Sequence, residues 1–230
     1  MKFRLPSDPL DYKPDWENMS KGQRARYIWD YYKIPILILV VMLYFIGYAG
    51  YRYAVRTYPV LYVDAVNLFT DDEVTSFLTD GYKEAAGLKP REVVEYQSGL
   101  LLTADMSSPY YGQTSAAAQV KVLASITAHQ LDIVLMDREA FDIFAQEGSL
   151  HDLEALMASE GLTGQQKELL TKLSPRFAAN TAGEEHMFAI ELSGTKLDQT
   201  SATGEPLYLG ILVNTPRMDT VLSWVDYLYQ

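Results

Sequence analysis

The sequence predicts an α/β domain, with a largely parallel sheet and flanking helices, preceded by a single transmembrane helix. Three observations predict it. Between Ile34 and Tyr51, 18 consecutive positions carry no charged residue, enough for about 27 Å of helix at about 1.5 Å per residue. Beyond that run, short β-branched or apolar segments alternate with stretches whose apolar residues recur at helical spacing, the order expected of an α/β domain. Leu131-Asp132-Ile133-Val134-Leu135-Met136 is apolar in consecutive positions instead of alternate ones, as in a strand covered on both faces.

The elements follow in chain order. Residues 1–33 form a juxtamembrane segment expected in the cytoplasm; Pro6, Pro9 and Pro14 keep its first half from forming a helix. Ser20 is placed to cap a helix, and Gln23, three residues on, completes a capping box. On that helix Arg24, Ile28 and Tyr31 share a face, a basic and aromatic surface that suits either a helix lying on membrane lipid or a simple cytoplasmic extension of the span. The span itself is assigned to 34–53, with Pro35 in its first turn, where a missing N–H matters least. Tyr27, Trp29, Tyr31 and Tyr32 before it, and Tyr48, Tyr51, Tyr53 and Tyr58 after it, suit the two bilayer interfaces. Lys21, Arg24, Arg26 and Lys33 precede the span, against Arg52 and Arg56 just after it, so the positive-inside tendency predicts a single-pass cell-membrane protein with residues 54–230 extracytoplasmic. Gly47-Tyr48-Ala49 also offers a small-x-small cleavage pattern, but a lead of 33 residues is long for a signal peptide.

In the expected external domain, Val60 to Val66 reads as a strand, and Asp71-Asp72-Glu73 opens a helix whose apolar stripe is Val74, Phe77, Leu78 and Tyr82. A second strand is expected at Glu92 to Gln97, followed by a connection from Gly99 to Gly112. Thr114 to Ala128 is an Ala-rich helix with Ala117, Val120, Leu123 or Ala124, and Thr127 along one side. After the strand at 131–136, Asp137 caps a helix carrying Ala140, Phe141, Phe144 and Ala145. A helix from Gln165 to Leu173, strands at His186 to Leu192 and Pro206 to Asn214, and a closing helix from Pro216 with Val221, Leu222, Val225 and Leu228 on one face complete the order.

Composition excludes several classes of chemistry. The chain holds 19 Lys and Arg against 30 Asp and Glu, and residues 57–230 alone hold 10 against 25. No basic footprint exists for nucleic acid. With no cysteine, disulfides, thiol nucleophiles and thiolate metal sites are excluded. His129, His151 and His186 share no ligand spacing, and no phosphate loop, dinucleotide fingerprint or nucleophile elbow occurs. The acidic pairs Glu184-Glu185 and Asp71-Asp72-Glu73 sit in a Gly-containing turn and at a helix start, where solvated structural roles fit best. No catalysis and no cofactor are expected.

The segment Leu131 to Asp137, the helix with Phe141 and Phe144, and Gly148-Ser149-Leu150-His151-Asp152-Leu153 resemble a stretch of bacterial extracellular solute-binding proteins. Met187-Phe188-Ala189-Ile190 resembles that family's return through its hinge. Leu207 to Thr215, followed by a helix ending Trp224-Val225-Asp226-Tyr227-Leu228, is similar to its C-terminal strand and helix. Members of that family enclose a ligand between two lobes. Here Leu192 to Pro206 holds only a short polar loop where a second lobe would enter, so the resemblance implies one solute-binding-protein-like lobe. The lead Arg26-Tyr27-Ile28-Trp29-Asp30-Tyr31-Tyr32-Lys33 resembles the membrane entry of small anchored proteins of Gram-positive bacteria.

In an α/β sheet, ligands sit beyond the carboxyl ends of the parallel strands. That rule selects Asn67 and Phe69 after the first strand, Gln97 with Tyr110 and Tyr111 after the second, and Asp137 and Arg138 after the third. Asp137 also suits an N-cap, and the two tyrosines suit loop packing, sugar stacking or a partner surface. The expected function is an anchored interaction or sensing module that meets membrane lipid and a protein partner. The alternative is a small-solute capture accessory to a membrane transporter.

Overall fold

The computed structural model describes residues 19–104, 112–179, 186–197 and 205–229, in two compact units, Met1–Arg56 and Thr57–Gln230. The first unit is built on one helix, α1 (Lys21–Ala54). Its start is the expected capping box: the Gln23 N–H donates to Ser20 Oγ at 3.4 Å, and the Ser20 N–H donates to Gln23 Oε1 at 3.0 Å. The side chains of Ile28 and Tyr31 lie outside the described residues, as does Met1 to Trp16. Helix and span are continuous, so Pro35 lies well inside α1 and not in a first turn. It removes one interior N–H in a helix held by its neighbouring turns. Tyr32–Ala54 is long and apolar enough to cross a membrane, and none of it is buried in protein.

The second unit is a six-stranded sheet between two helical layers. In order, its elements are β1 (Tyr58–Val66), α2 (Asp72–Ser76), a π-helical turn (Phe77–Gly81), α3 (Tyr82–Ala85), β2 (Glu92–Leu100), α4 (Gln113–Thr127), β3 (Ile133–Met136) and α5 (Arg138–Gln146). They are followed by α6 (Leu153–Ala158), α7 (Gly164–Leu173), a 3-10 turn (Ser174–Arg176), β4 (Phe177–Ala178), β5 (Ala189–Glu191), β6 (Tyr208–Ile211) and α8 (Met218–Leu228). The strand order is β2-β1-β3-β6-β5-β4.

The sheet is mixed, which corrects the expectation of a largely parallel one. β2, β1 and β3 run parallel, whereas β3–β6, β6–β5 and β5–β4 are antiparallel. No α-helix lies in the described residues between β5 and β6, and strands joined without a helical crossover pair antiparallel.

Alternation along β1 sorts the two faces. Leu61, Val63 and Ala65 pack with Ile133, Leu135, Leu209 and Ile211 against α3, α6, α7 and α8. Val66, with Val134, Met136 and Tyr208, packs against α4 and α5. Trp224 of α8 is the largest fully buried side chain. Its indole N–H donates to the Leu78 carbonyl at 3.0 Å, and the Tyr227 hydroxyl donates to the Phe77 carbonyl at 3.1 Å. Both acceptors lie in the π turn, where a widened ladder leaves carbonyls free for side-chain donors. Gly81 permits the approach, since a Cβ there would lie 2.5 Å from the Tyr227 hydroxyl oxygen.

At the amino ends of the parallel strands, Asp132 is fully buried and fully used. One carboxylate oxygen accepts from the Tyr62 N–H at 2.9 Å and Arg217 Nε at 2.8 Å; the other accepts from the Thr215 hydroxyl at 2.6 Å. The Arg217 guanidinium lies 4.7 Å from the Tyr62 ring centroid. This network ties β1, β3 and the entry to α8 into one end of the sheet.

Candidate functional site

At the carboxyl ends of the parallel strands, the structure brings Asn67 and Asp137 together. Asn67 leaves β1 in the left-handed region, φ 58°, which Asn tolerates better than most residues. Its side-chain amide donates to Asp137 Oδ1 at 3.1 Å and to the Leu102 carbonyl at 2.8 Å, while its Oδ1 accepts the Leu102 N–H at 2.8 Å. Asp137 also caps α5, accepting the Ala140 N–H at 2.9 Å. Burial raises the Asp137 carboxyl above its ordinary pKa; the bonds from Ala140 and Asn67 oppose the shift, and the Glu139 and Glu205 charges add to it. Beside it, Glu139 Oε1 accepts the Thr103 hydroxyl at 2.7 Å and the Ala104 N–H at 2.8 Å.

These bonds join the ends of β1, the chain after β2 and α5 to each other. Asn67, Asp137 Oδ1 and Glu139 Oε1 are thus engaged in holding the loops at this edge. Arg138 turns elsewhere: its guanidinium donates to the Ala179 carbonyl at 2.9 Å and lies 5.1 Å from the Phe141 ring centroid and 5.5 Å from that of Tyr208. Phe69 is 67% exposed and stands apart from the Asn67–Asp137 pair's bonds. Gln97 is not beyond the end of its strand, because β2 runs on to Leu100 and pairs Gln97 with Asp64 of β1. Tyr110 and Tyr111, like Glu184 and Glu185, lie outside the described residues.

Sequence reasoning missed two features of the α4 side. Asp64, in the middle of β1, is only 6% exposed, and burial raises its carboxyl from 3.8 to about 6 against the opposing attraction of the Lys121 ammonium on α4. The second is the direction in which α4 faces. Ser115, Ala118 and Val122 are buried, whereas Val120 is 69% and Leu123 63% exposed. The side picked out by spacing, with Ala117, Val120 and Leu123, is turned outward. In α4 small and apolar residues recur on more than one side, with Gln, Ser, Thr and Lys between them, so spacing alone leaves its buried side undetermined.

Between α4 and α5 this outward face borders a groove of about 440 Å³, lined by Leu102, Val120, Leu123, Ile126, Ile143 and Phe144 with Gln119, Glu147 and Ser149 as its polar members. Its size is that of a ligand pocket. Its lining is mainly apolar. Among the described residues, no cluster of three or more His, Asp or Glu is placed to hold a metal ion.

Fold and site thus define a mixed α/β domain with an apolar surface groove, following a helix of membrane-spanning length. No known protein family and no curated protein matches the sequence. Among solved structures, the chain is similar to an extracellular solute-binding protein family 1 from Alicyclobacillus acidocaldarius, at 14% identity and a TM-score of 0.29 over 59% of this chain. The chain spans 28% of that protein's length.

Proposed function

We propose that this is a single-pass membrane protein, with residues 1–33 cytoplasmic, a span at 34–53 and residues 54–230 outside, serving as an interaction or sensing module without catalysis. The observation that carries the interaction reading is the outward apolar face of α4 and its groove. Water-exposed Val and Leu beside a ligand-sized apolar groove suit a protein surface. The strand-end polar groups that would orient a small solute are bonded to neighbouring loops. The anchor reading rests on α1, whose apolar side chains lack the protein cover that a core helix has.

Two measurements test this. In whole cells, external protease degrades residues 60–230 while a tag at the N-terminus survives; protection of the domain until lysis overturns the orientation. A thermal-shift screen of the full chain against sugars, amino acids and peptides gives no saturable shift. A saturable shift with one small solute class replaces the interaction reading by solute capture for a transporter.

A further inference from the structure

We infer that the outward face of α4 is a homodimer contact, in which α4 of one copy packs antiparallel on α4 of a second copy about a twofold axis at Val120. The inference rests on the reading of the chain as an anchored interaction module and names the partner of that surface.

The sequence of the helix is complementary to itself. With Val120 on the axis, antiparallel pairing sets Ala116 against Ala124, and Ala117 against Leu123. Ala116, Ala117, Val120, Leu123 and Ala124 are all exposed. Each large Leu123 therefore meets a small residue of the other copy, and small residues at these positions let two helices approach to the usual interaxial distance of about 8 to 10 Å. An isologous contact requires this kind of pairing, in which one patch fits its own image.

Charge selects the same face. Residues 57–230 carry 25 acidic side chains against 10 basic ones, so two copies repel over most of their surfaces. From Met106 to Gln130 the chain has no Asp or Glu, and Lys121 is its one Lys or Arg. In the antiparallel register Lys121 faces Gln119 and not the second Lys121. At the groove's edge Glu147 offers the opposite charge.

Area sets the strength. α4 has 15 residues, about 22 Å of helix, and a strip along a cylinder of about 10 Å diameter covers on the order of 300 Å² per copy. Stable soluble complexes bury about 800 Å² per partner. The contact is therefore weak in free solution and depends on the local concentration that anchoring in one membrane supplies.

The chain's lack of cysteine makes the test direct. In membranes carrying the full-length protein, Val120→Cys forms a disulfide-linked dimer under mild oxidation. Gln165→Cys, exposed on α7, forms none. Adding Leu123→Glu to Val120→Cys abolishes the dimer while the melting transition stays where it was, because Leu123 is mostly solvated already. A Val120→Cys protein that remains monomeric but is trapped by crosslinker to a different protein overturns the second-copy inference and leaves the interaction reading standing. A Val120→Cys protein that remains monomeric, is trapped to nothing and is fully labelled by a membrane-impermeant maleimide overturns both. Equal dimer yields at positions 120 and 165 overturn the α4 contact as well, since collision alone then accounts for them.

Discussion

Asp64→Asn should stabilise the protein, and only where Asp64 would be ionised. Burial holds the Asp64 carboxyl at about 6 in the folded domain, against 3.8 for an unperturbed group. A shift of about two units at about 1.4 kcal/mol per unit is roughly 3 kcal/mol, unfavourable once the buried carboxyl is charged. The sign follows from a folded-state pKa raised above the unfolded one. Below 3.8 the group is protonated in both states and its contribution to stability is fully present; as pH rises through about 6 that contribution is lost, and above it the deficit is constant. Asparagine keeps the shape and cannot ionise. Full-length Asp64→Asn in detergent should match the parent near pH 4 and exceed it by up to roughly 3 kcal/mol at pH 8, raising the melting temperature by roughly 6 to 10 °C for a domain of this size. Lys121→Met should act oppositely at pH 8, because it removes the ammonium that offsets the buried charge. Fluorescence-monitored melts from pH 4 to pH 8 provide the assay. A variant gap that does not change with pH, or an Asp64→Asn protein less stable at pH 8, refutes the argument.

Three further predictions concern the framework. Asp132→Ala leaves Arg217, Thr215 and the Tyr62 N–H without their shared acceptor, and breaking a buried pair of this kind destabilises by about 3 to 5 kcal/mol in urea unfolding. Gly81→Ala forces a Cβ toward the Tyr227 hydroxyl and should destabilise by about 1 to 3 kcal/mol; Tyr227→Phe should be less harmful in that background than alone, which a double-mutant cycle reads as coupling. Asn67→Gly keeps the left-handed backbone but loses the side-chain bonds, whereas Asn67→Ala loses both, so Ala should be the worse of the two by about 1 kcal/mol in the same unfolding assay.

Local chemistry made much of the chain legible. Ser20 with Gln23, Asp71 and Asp137 each cap a helix as their spacing implies, because a cap needs only a short acceptor and the N–H groups that follow it. The strands expected at 60–66, 92–97 and 131–136 fall on β1, β2 and β3, although β2 runs three residues beyond its expected end. Direction was harder to read. Tyr208–Ile211 is buried at every position and reads the same in either orientation; the reversal shows in the lack of an α-helix among the described residues between it and β5. In α4, apolar and small residues surround the axis, so the choice between Val122 inward and Val120 inward is made by the sheet beneath. The π turn depends on donors from Trp224 and Tyr227, at separations of 146 and 150 positions along the chain. At the strand ends, the ligand rule found the place where Asn67 and Asp137 meet, but not that they would satisfy each other.

The tie between α8 and the first helical segment also bears on synthesis. β1 and the π turn leave the ribosome long before Thr215, Arg217, Trp224 and Tyr227, yet the side-chain donors to Asp132 and to the carbonyls of Phe77 and Leu78 come from that late segment. A nascent chain that has released β1 through α7 therefore holds a carboxylate without its Arg217 and Thr215 donors and an apolar sheet face that lacks the α8 part of its cover. Contacts this distant in sequence form late and slowly. Until α8 arrives, that face stays partly open to water, and chains stalled before Met218 should be targets for proteolysis.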